Sequence, residues 1–232
     1  MIIAVCIGIL VLLCFLLAIA NFAGERFFEQ YEKYNKIRPS TNISPLEFVC
    51  LINQKFFANA LKIGKTDVKA GDAYSRGVLI LSNDTLTTQS LASYTIISHE
   101  MGHARQDKEG KKLKKLSFLR RFGKIIGVFL VPLLIAGGLV ILLDKELLIL
   151  GIGLLSGGVL IFLIALVIKL KTISIEKEAS TFALDYLREI LSEEEVKKCK
   201  SFLNDARLTY WADFLRTLFV WTFLTKKNKM FG

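Results

Sequence analysis

Ser98-His99-Glu100-Met101-Gly102-His103-Ala104-Arg105-Gln106 is the stretch on which the reading of this chain turns. Within it His99, Glu100 and His103 form H-E-x-x-H. On a helix, the four-residue step from His99 to His103 advances about one turn, so both imidazoles leave one face and can share a tetrahedral Zn²⁺. Glu100 stands beside them, within reach of the ion's open coordination position. A carboxylate there can take a proton from water and return it to a leaving amine, which is the chemistry of hydrolysis at neutral pH. A pattern with three fixed positions arises by accident in on the order of one per cent of chains this size. The chain has only two histidines, however, and both fall inside it, which favours a metal site.

Working outward, the composition is that of a membrane protein: 53% of the 232 residues are hydrophobic and mean hydropathy is +0.46, more than a soluble globule carries. Net charge is 31 − 21 = +10. With apolar spans present, anionic lipid head groups are the expected partner of that charge, and nucleic acid is not. Cys6, Cys14, Cys50 and Cys199 form no C-x-x-C pattern, so neither a disulfide framework nor a cysteine zinc site is expected.

Upstream of the motif, residues 1–20 carry no charge and are long enough to cross a bilayer as a helix. Ala18-Ile19-Ala20 offers a signal-peptidase site, but no Lys or Arg precedes the apolar run, so an uncleaved anchor is expected. Residues 21–45 read as an exit from the membrane and a turn. Ser44 and Glu47 form a capping box for a helix whose apolar spacing runs through Leu61. Val68–Ser75 reads as a loop or short hairpin. Val78–Leu81 reads as a short strand, either an ordinary core strand or an edge along the cleft that pairs with an extended peptide. The helix carrying the motif is expected to begin near Thr87 or Thr88.

Downstream, Lys108, Lys111, Lys112, Lys114, Lys115, Arg120, Arg121 and Lys124 run into an apolar span, 125–143. A second span, 147–168, follows after Asp144-Lys145-Glu146. The pair reads as a transmembrane helical hairpin whose Gly151, Gly153, Gly157 and Gly158 allow close helix approach. Basic residues flank both outer ends and the turn is net acidic, so the positive-inside rule puts the motif in the cytoplasm and the N-terminus outside. Ile175–Ile190 reads as a new amphipathic helix, and Glu193-Glu194-Glu195 as the acidic start of another. Phe214–Leu224 is shorter than a span and reads as interfacial.

The expected organisation is thus an anchor (1–20), the first part of a cytoplasmic catalytic domain (21–124), a transmembrane hairpin (125–168) and a cytoplasmic helical region (169–232). The fold class is mainly α: transmembrane helices plus a small zincin-like helical domain with a short β-strand or hairpin. Two histidines leave a catalytic zinc one protein ligand short. With no third histidine, that ligand is a carboxylate or a cysteine; Asp107 and Glu109 lie too close along the chain to fold back easily over the site, and Glu176 and Glu178 come just after the hairpin.

The motif, the strand before it, the two-span hairpin and then Glu176-Lys177-Glu178-Ala179-Ser180 resemble the YugP-type membrane zinc metallopeptidases, and more distantly HtpX and the CAAX prenyl proteases. Leu208-Thr209-Tyr210-Trp211-Ala212 is similar to the family's Thr-Tyr-x-Ala segment, so the resemblance spans nearly the whole chain. It implies a zinc peptidase, with the Glu that opens Glu-x-x-Ala-Ser, here Glu176, as third ligand beside His99 and His103. Chain reach agrees: the histidines lie about 20 residues before the hairpin and Glu176 about eight after it, and Glu178 would point to another side of the helix. The chain departs from the pattern at Ser180, where HtpX-like proteins have Asp, and at Asp72-Ala73-Tyr74, where the family has Asp-His-Tyr. With no histidine left to stabilise an oxyanion, Tyr210 or Tyr74 is the candidate donor. The expected function is endopeptidase action on peptide or protein substrates, membrane proteins among them, at the cytoplasmic membrane face. Two alternatives are a catalytically inactive membrane-anchored scaffold and an intramembrane protease. The polar residues around the motif, Gln89, Ser90, Arg105, Gln106 and Asp107, oppose the second.

Overall fold

The computed structural model describes residues 2–68, 71–110, 112–143 and 145–218, giving the backbone alone for Lys145 and for parts of 2–20, 112–131 and 213–218. Its elements in order are α1 (Ile2–Asn35), α2 (Pro45–Phe57), β1 (Lys62–Thr66), β2 (Ala73–Ser75), β3 (Val78–Ser82), α3 (Asn83–Thr87), α4 (Leu91–Lys108), α5 (Lys112–Leu143), α6 (Leu148–Leu187) and α7 (Glu193–Leu218). A single 3₁₀ turn, Lys145–Leu147, links α5 to α6. The chain is therefore mainly helical with one small sheet. It divides into two compact units; within the described residues one takes 2–22, 115–174 and 209–218, and the other 23–114 and 175–208.

The second unit holds the motif. Its core gathers Phe48, Val49 and Ile52 of α2, Leu79 and Leu81 of β3, Leu91, Tyr94, Ile97 and Met101 of α4, and Tyr186 and Leu187 of α6. Phe27 of α1 stacks on Phe202 of α7 at 5.7 Å between ring centroids. The predicted capping box is in place: Ser44 Oγ accepts from Glu47 N–H at 3.3 Å and Glu47 Oε2 accepts from Ser44 N–H at 2.7 Å. The helix it starts is shorter than its apolar spacing predicts, because Ala58 and Asn59 are left-handed and end it before Leu61. Buried Asn53 then stands in for a peptide group, accepting from Leu61 N–H and donating to Leu61 O, and so turns the chain into β1.

The sheet has order β1-β3-β2, with β1 parallel and β2 antiparallel to β3. Arg76 and Gly77, both at positive φ, close the two-residue β2–β3 hairpin. This corrects one of the two readings of Val78–Leu81. The strand is central, its hydrogen-bonding edges are taken on both sides, and it cannot accept a substrate strand. Its Leu79 and Leu81 belong to the core.

The run into the motif also differs from expectation. Ser82 caps the short α3, Thr88 is extended, and α4 starts afresh at Leu91 with Ser90 as its cap, Ser90 Oγ accepting from Ser93 N–H at 3.1 Å. Ser90 Oγ also donates to Asn35 Oδ1, and Leu91 N–H to Ile37 O, which ties the start of α4 to the end of α1. α1 itself runs unbroken to Asn35, past the expected membrane exit.

In the first unit, α5 and α6 approach closely at three glycines, Gly137, Gly151 and Gly158. A Cβ on Gly137 would lie 3.0 Å from Gly151 O, and one on Gly158 would lie 2.7 Å from Leu134 Cδ2. Among the described residues nothing lies within 4 Å of a Cβ on Gly153 or Gly157, so there only half of the expected small-residue set serves the contact. Leu130, Ala165 and Phe214 form the unit's small buried cluster. Among the described residues one helix, Leu148–Leu187, is long and apolar enough to cross a membrane. The expected spans 1–20 and 125–143 are helical from Ile2 onward; most side chains of the first and those of 125–128 and 131 in the second fall outside the described residues, as do Met1 and Asp144. The stretch Phe214–Leu224, expected to lie in the interface, enters α7 as far as Leu218, and 219–232 lie outside the described residues.

Candidate metal centre

The motif lies on α4, whose buried apolar face, Leu91, Tyr94, Ile97 and Met101, fixes the rotation of the helix. That rotation presents His99 and His103 together, ring centroids 4.9 Å apart. The third participant comes from α6. Glu176 does not open a new helix as its sequence context predicts; α6 is continuous for 40 residues, with no Gly or Pro after Gly158 to stop it.

Gly102 is what lets α6 come close enough. A Cβ at that position would lie 2.3 Å from Ala179 O and 2.9 Å from Ala179 C, backbone atoms that cannot swing aside. Gly102 sits between the two histidines, and Ala179 follows Glu176 by about one turn, so this close approach of the helices falls at the site itself. Glu176 Oε2 then lies 3.3 Å from His99 Nε2 and 3.4 Å from His103 Nε2.

His99, His103 and Glu176 thus offer three ligand atoms, all within 4.8 Å of one another. Atoms bound tetrahedrally to zinc at its usual nitrogen and oxygen distances stand about 3.3 Å apart. The two separations from Glu176 match that edge, so the donor set fits the ion in kind and, at the carboxylate, in spacing. Glu176 is 1% exposed and His103 7%, while His99 is partly open. Burial opposes ionisation of Glu176, but hydrogen bonds with His103 and His99 hold its carboxyl well below the usual range. Burial likewise opposes protonation of His103, and the Glu176 and Glu100 carboxylates outweigh it, raising its pKa.

Glu100 lies between the histidines in sequence and accepts the backbone N–H of Tyr74 at 2.8 Å through Oε2. Desolvation raises its pKa against the opposing influence of His103 and His99. Tyr74 is therefore part of the site by its backbone. Its hydroxyl donates to Asp107 Oδ2 and accepts from Gly77 N–H, both at 2.8 Å, and burial with Asp107 pushes it up to about 12. Tyr210 belongs to the other unit, where Lys169 Nζ sits 5.5 Å from its ring centroid.

Glu178 is outside the ligand group; its Oε2 accepts from Gln106 Nε2 at 2.8 Å. Ser180, the departure from the HtpX-like pattern, lies with Oγ 3.4 Å from His99 Nδ1 and donates to Glu176 O at 2.9 Å. The sequence reading missed Gly102 and Gln106. The signal for the first was a glycine in a helix interior, which costs about 1 kcal/mol relative to Ala and so asks for a packing reason. For the second it was the three-residue spacing from His103.

No curated protein and no solved structure gives a significant match to this chain. A family model described as "Putative neutral zinc metallopeptidase" matches residues 9–225, and with nearly the whole length covered the chain belongs to that family, as its resemblance to the YugP-type peptidases implied.

Proposed function

We propose that the protein is a membrane-embedded endopeptidase that uses zinc held by His99, His103 and Glu176 to hydrolyse peptide bonds at the cytoplasmic membrane face. The observation that carries this reading is the convergence of the three ligand atoms from α4 and α6 with Glu100 on the same helix as the histidines. Bound zinc supplies Lewis acidity, polarising a scissile carbonyl and making water acidic enough to attack near neutral pH.

The chain's own residues do the rest. Tyr74 N–H occupies Oε2 of Glu100, which fixes the carboxylate and leaves Oε1 to accept the proton of the attacking water. Glu100 then carries that proton to the leaving amine. Glu176 and the histidines take no proton in the cycle; they hold the geometry.

The apolar character of Leu148–Leu187 supports a membrane location. The positive-inside pattern supports a multi-pass chain with 21–124 and 169–232 on the cytoplasmic side, in contact with anionic lipid. Substrates are peptides or proteins, membrane proteins among them. The test is proteolysis in detergent by wild type and Glu100→Gln. Loss of roughly 10²-fold or more in rate with zinc content unchanged is expected, and equal rates would remove Glu100 from the mechanism.

A further inference from the structure

Gln106 is fully buried, three residues after His103 on α4, and its amide is used at both ends. Nε2 donates to Ile175 O and to Glu178 Oε2, both at 2.8 Å. Two acceptors on one side leave only one orientation of the amide, because turning it over would set Oε1 against a carbonyl and a carboxylate. Oε1 therefore faces His103, 3.0 Å from Nδ1. An amide oxygen can only accept, so Nδ1 of His103 must carry the proton. Nε2, which faces Glu176 Oε2, is then the ring nitrogen that a metal would take in place of its hydrogen bond to that carboxylate.

We infer that Gln106 is the positioning residue that fixes His103 in the tautomer able to bind a metal, and that Glu178 holds Gln106 in the orientation which does so. The inference rests on the ligand set proposed above and assigns Glu178, the runner-up ligand on sequence grounds, a role one bond further out. Ligand histidines whose other ring nitrogen loses its partner bind metal roughly 10- to 100-fold more weakly.

The network makes a specific demand of paired substitutions. In Gln106→Glu the new carboxylate replaces the group that donated to Glu178 and Ile175 O, and repulsion from both turns it off the line to His103. In Gln106→Glu/Glu178→Gln the amide returns on the other side, donating to the carboxylate introduced on α4, which can still accept from His103.

The experiment is chelator-competition zinc titration of the full chain in detergent, with ¹⁵N-histidine NMR of the same samples; the chain's two histidines keep the spectrum simple. Expected are a wild-type His103 with its proton on Nδ1, a loss of roughly 10- to 100-fold in zinc affinity for Gln106→Leu and Gln106→Glu, and recovery of about tenfold or more in the double variant. Affinity of Gln106→Leu within about twofold of wild type with an unmoved His103 signal would overturn the inference, as would a double variant no better than Gln106→Glu. A wild type that binds zinc in neither assay would instead overturn the ligand set itself, and the inference with it.

Discussion

The two halves of α6 obey opposite rules. From Leu148 to Ser174 the helix exposes large apolar side chains, Ile149 at 85%, Leu160 at 59% and Val159 at 54%, and buries little. From Ile175 to Leu187 it buries Ala179, Ala183, Tyr186 and Leu187 together with the carboxylate of Glu176. In water the first half would be costly, and the second is permissible because its buried carboxylate has two imidazole partners. One continuous helix can satisfy both only if its halves meet different surroundings. Apolar exposure over the first suits hydrocarbon, and buried, paired polarity over the second suits a catalytic core.

The largest effect that could break this contrast is a charge on the exposed apolar half. Leu160→Arg should cost insertion about 2.5–3.5 kcal/mol and shift the protein toward the alkali-extractable fraction of membranes. If Leu160 faces water, the same change stays within about 0.5 kcal/mol and extraction is unaltered.

Next comes the tight Gly102–Ala179 contact of the second half. Gly102→Ala must push Ala179 away, which should cost about 1–3 kcal/mol in unfolding free energy and weaken zinc binding through Glu176. Denaturant unfolding and zinc titration check both, and unchanged values would mean that α4 and α6 have slack. Gly157→Ala is its counterpart in the first half, where a Cβ meets nothing within 4 Å among the described residues. It should stabilise the helix by up to about 1 kcal/mol, and a loss of melting temperature would reveal a neighbour on that face.

The smallest effect lies at the start of α7. Glu195 accepts from Ser40 N–H and Oγ, both at 2.7 Å, and from Ser192 N–H and Oγ at 2.9 Å. Burial opposes this, but the hydrogen bonds hold its carboxyl down to about 2 against an ordinary value of 4.5. A depressed folded-state pKa stabilises above 4.5, and that stability is lost as pH falls toward 2. Glu195→Gln should therefore lower the urea midpoint at neutral pH, with the gap to wild type closing across that window. A pH-independent gap would assign the loss to packing.

The parts of the molecule legible in the sequence were those written in local chemistry. H-E-x-x-H declared itself by spacing, Ser44 and Glu47 by their capping pattern, and the acidic start of α7 by its charge. What stayed hidden was set by tertiary contact. β1, Lys-Ile-Gly-Lys-Thr, has no apolar alternation because most of it is open to solvent, so only its pairing with β3 makes it a strand. The charges from Lys169 to Glu178 read as a boundary, yet charge does not stop a helix without a breaker, and α6 runs through them. Gly102 and Gln106 carried their meaning in what lies across from them, Ala179 O in one case and Glu178 in the other, and neither distance is written along the chain.

The account stands on a carboxylate from α6 completing a metal site begun on α4, and the metal content of purified protein measures that directly. Wild type should carry about one zinc per chain after dialysis, and Glu176→Ala should carry close to none under the same conditions. Equal zinc in the two proteins would contradict it.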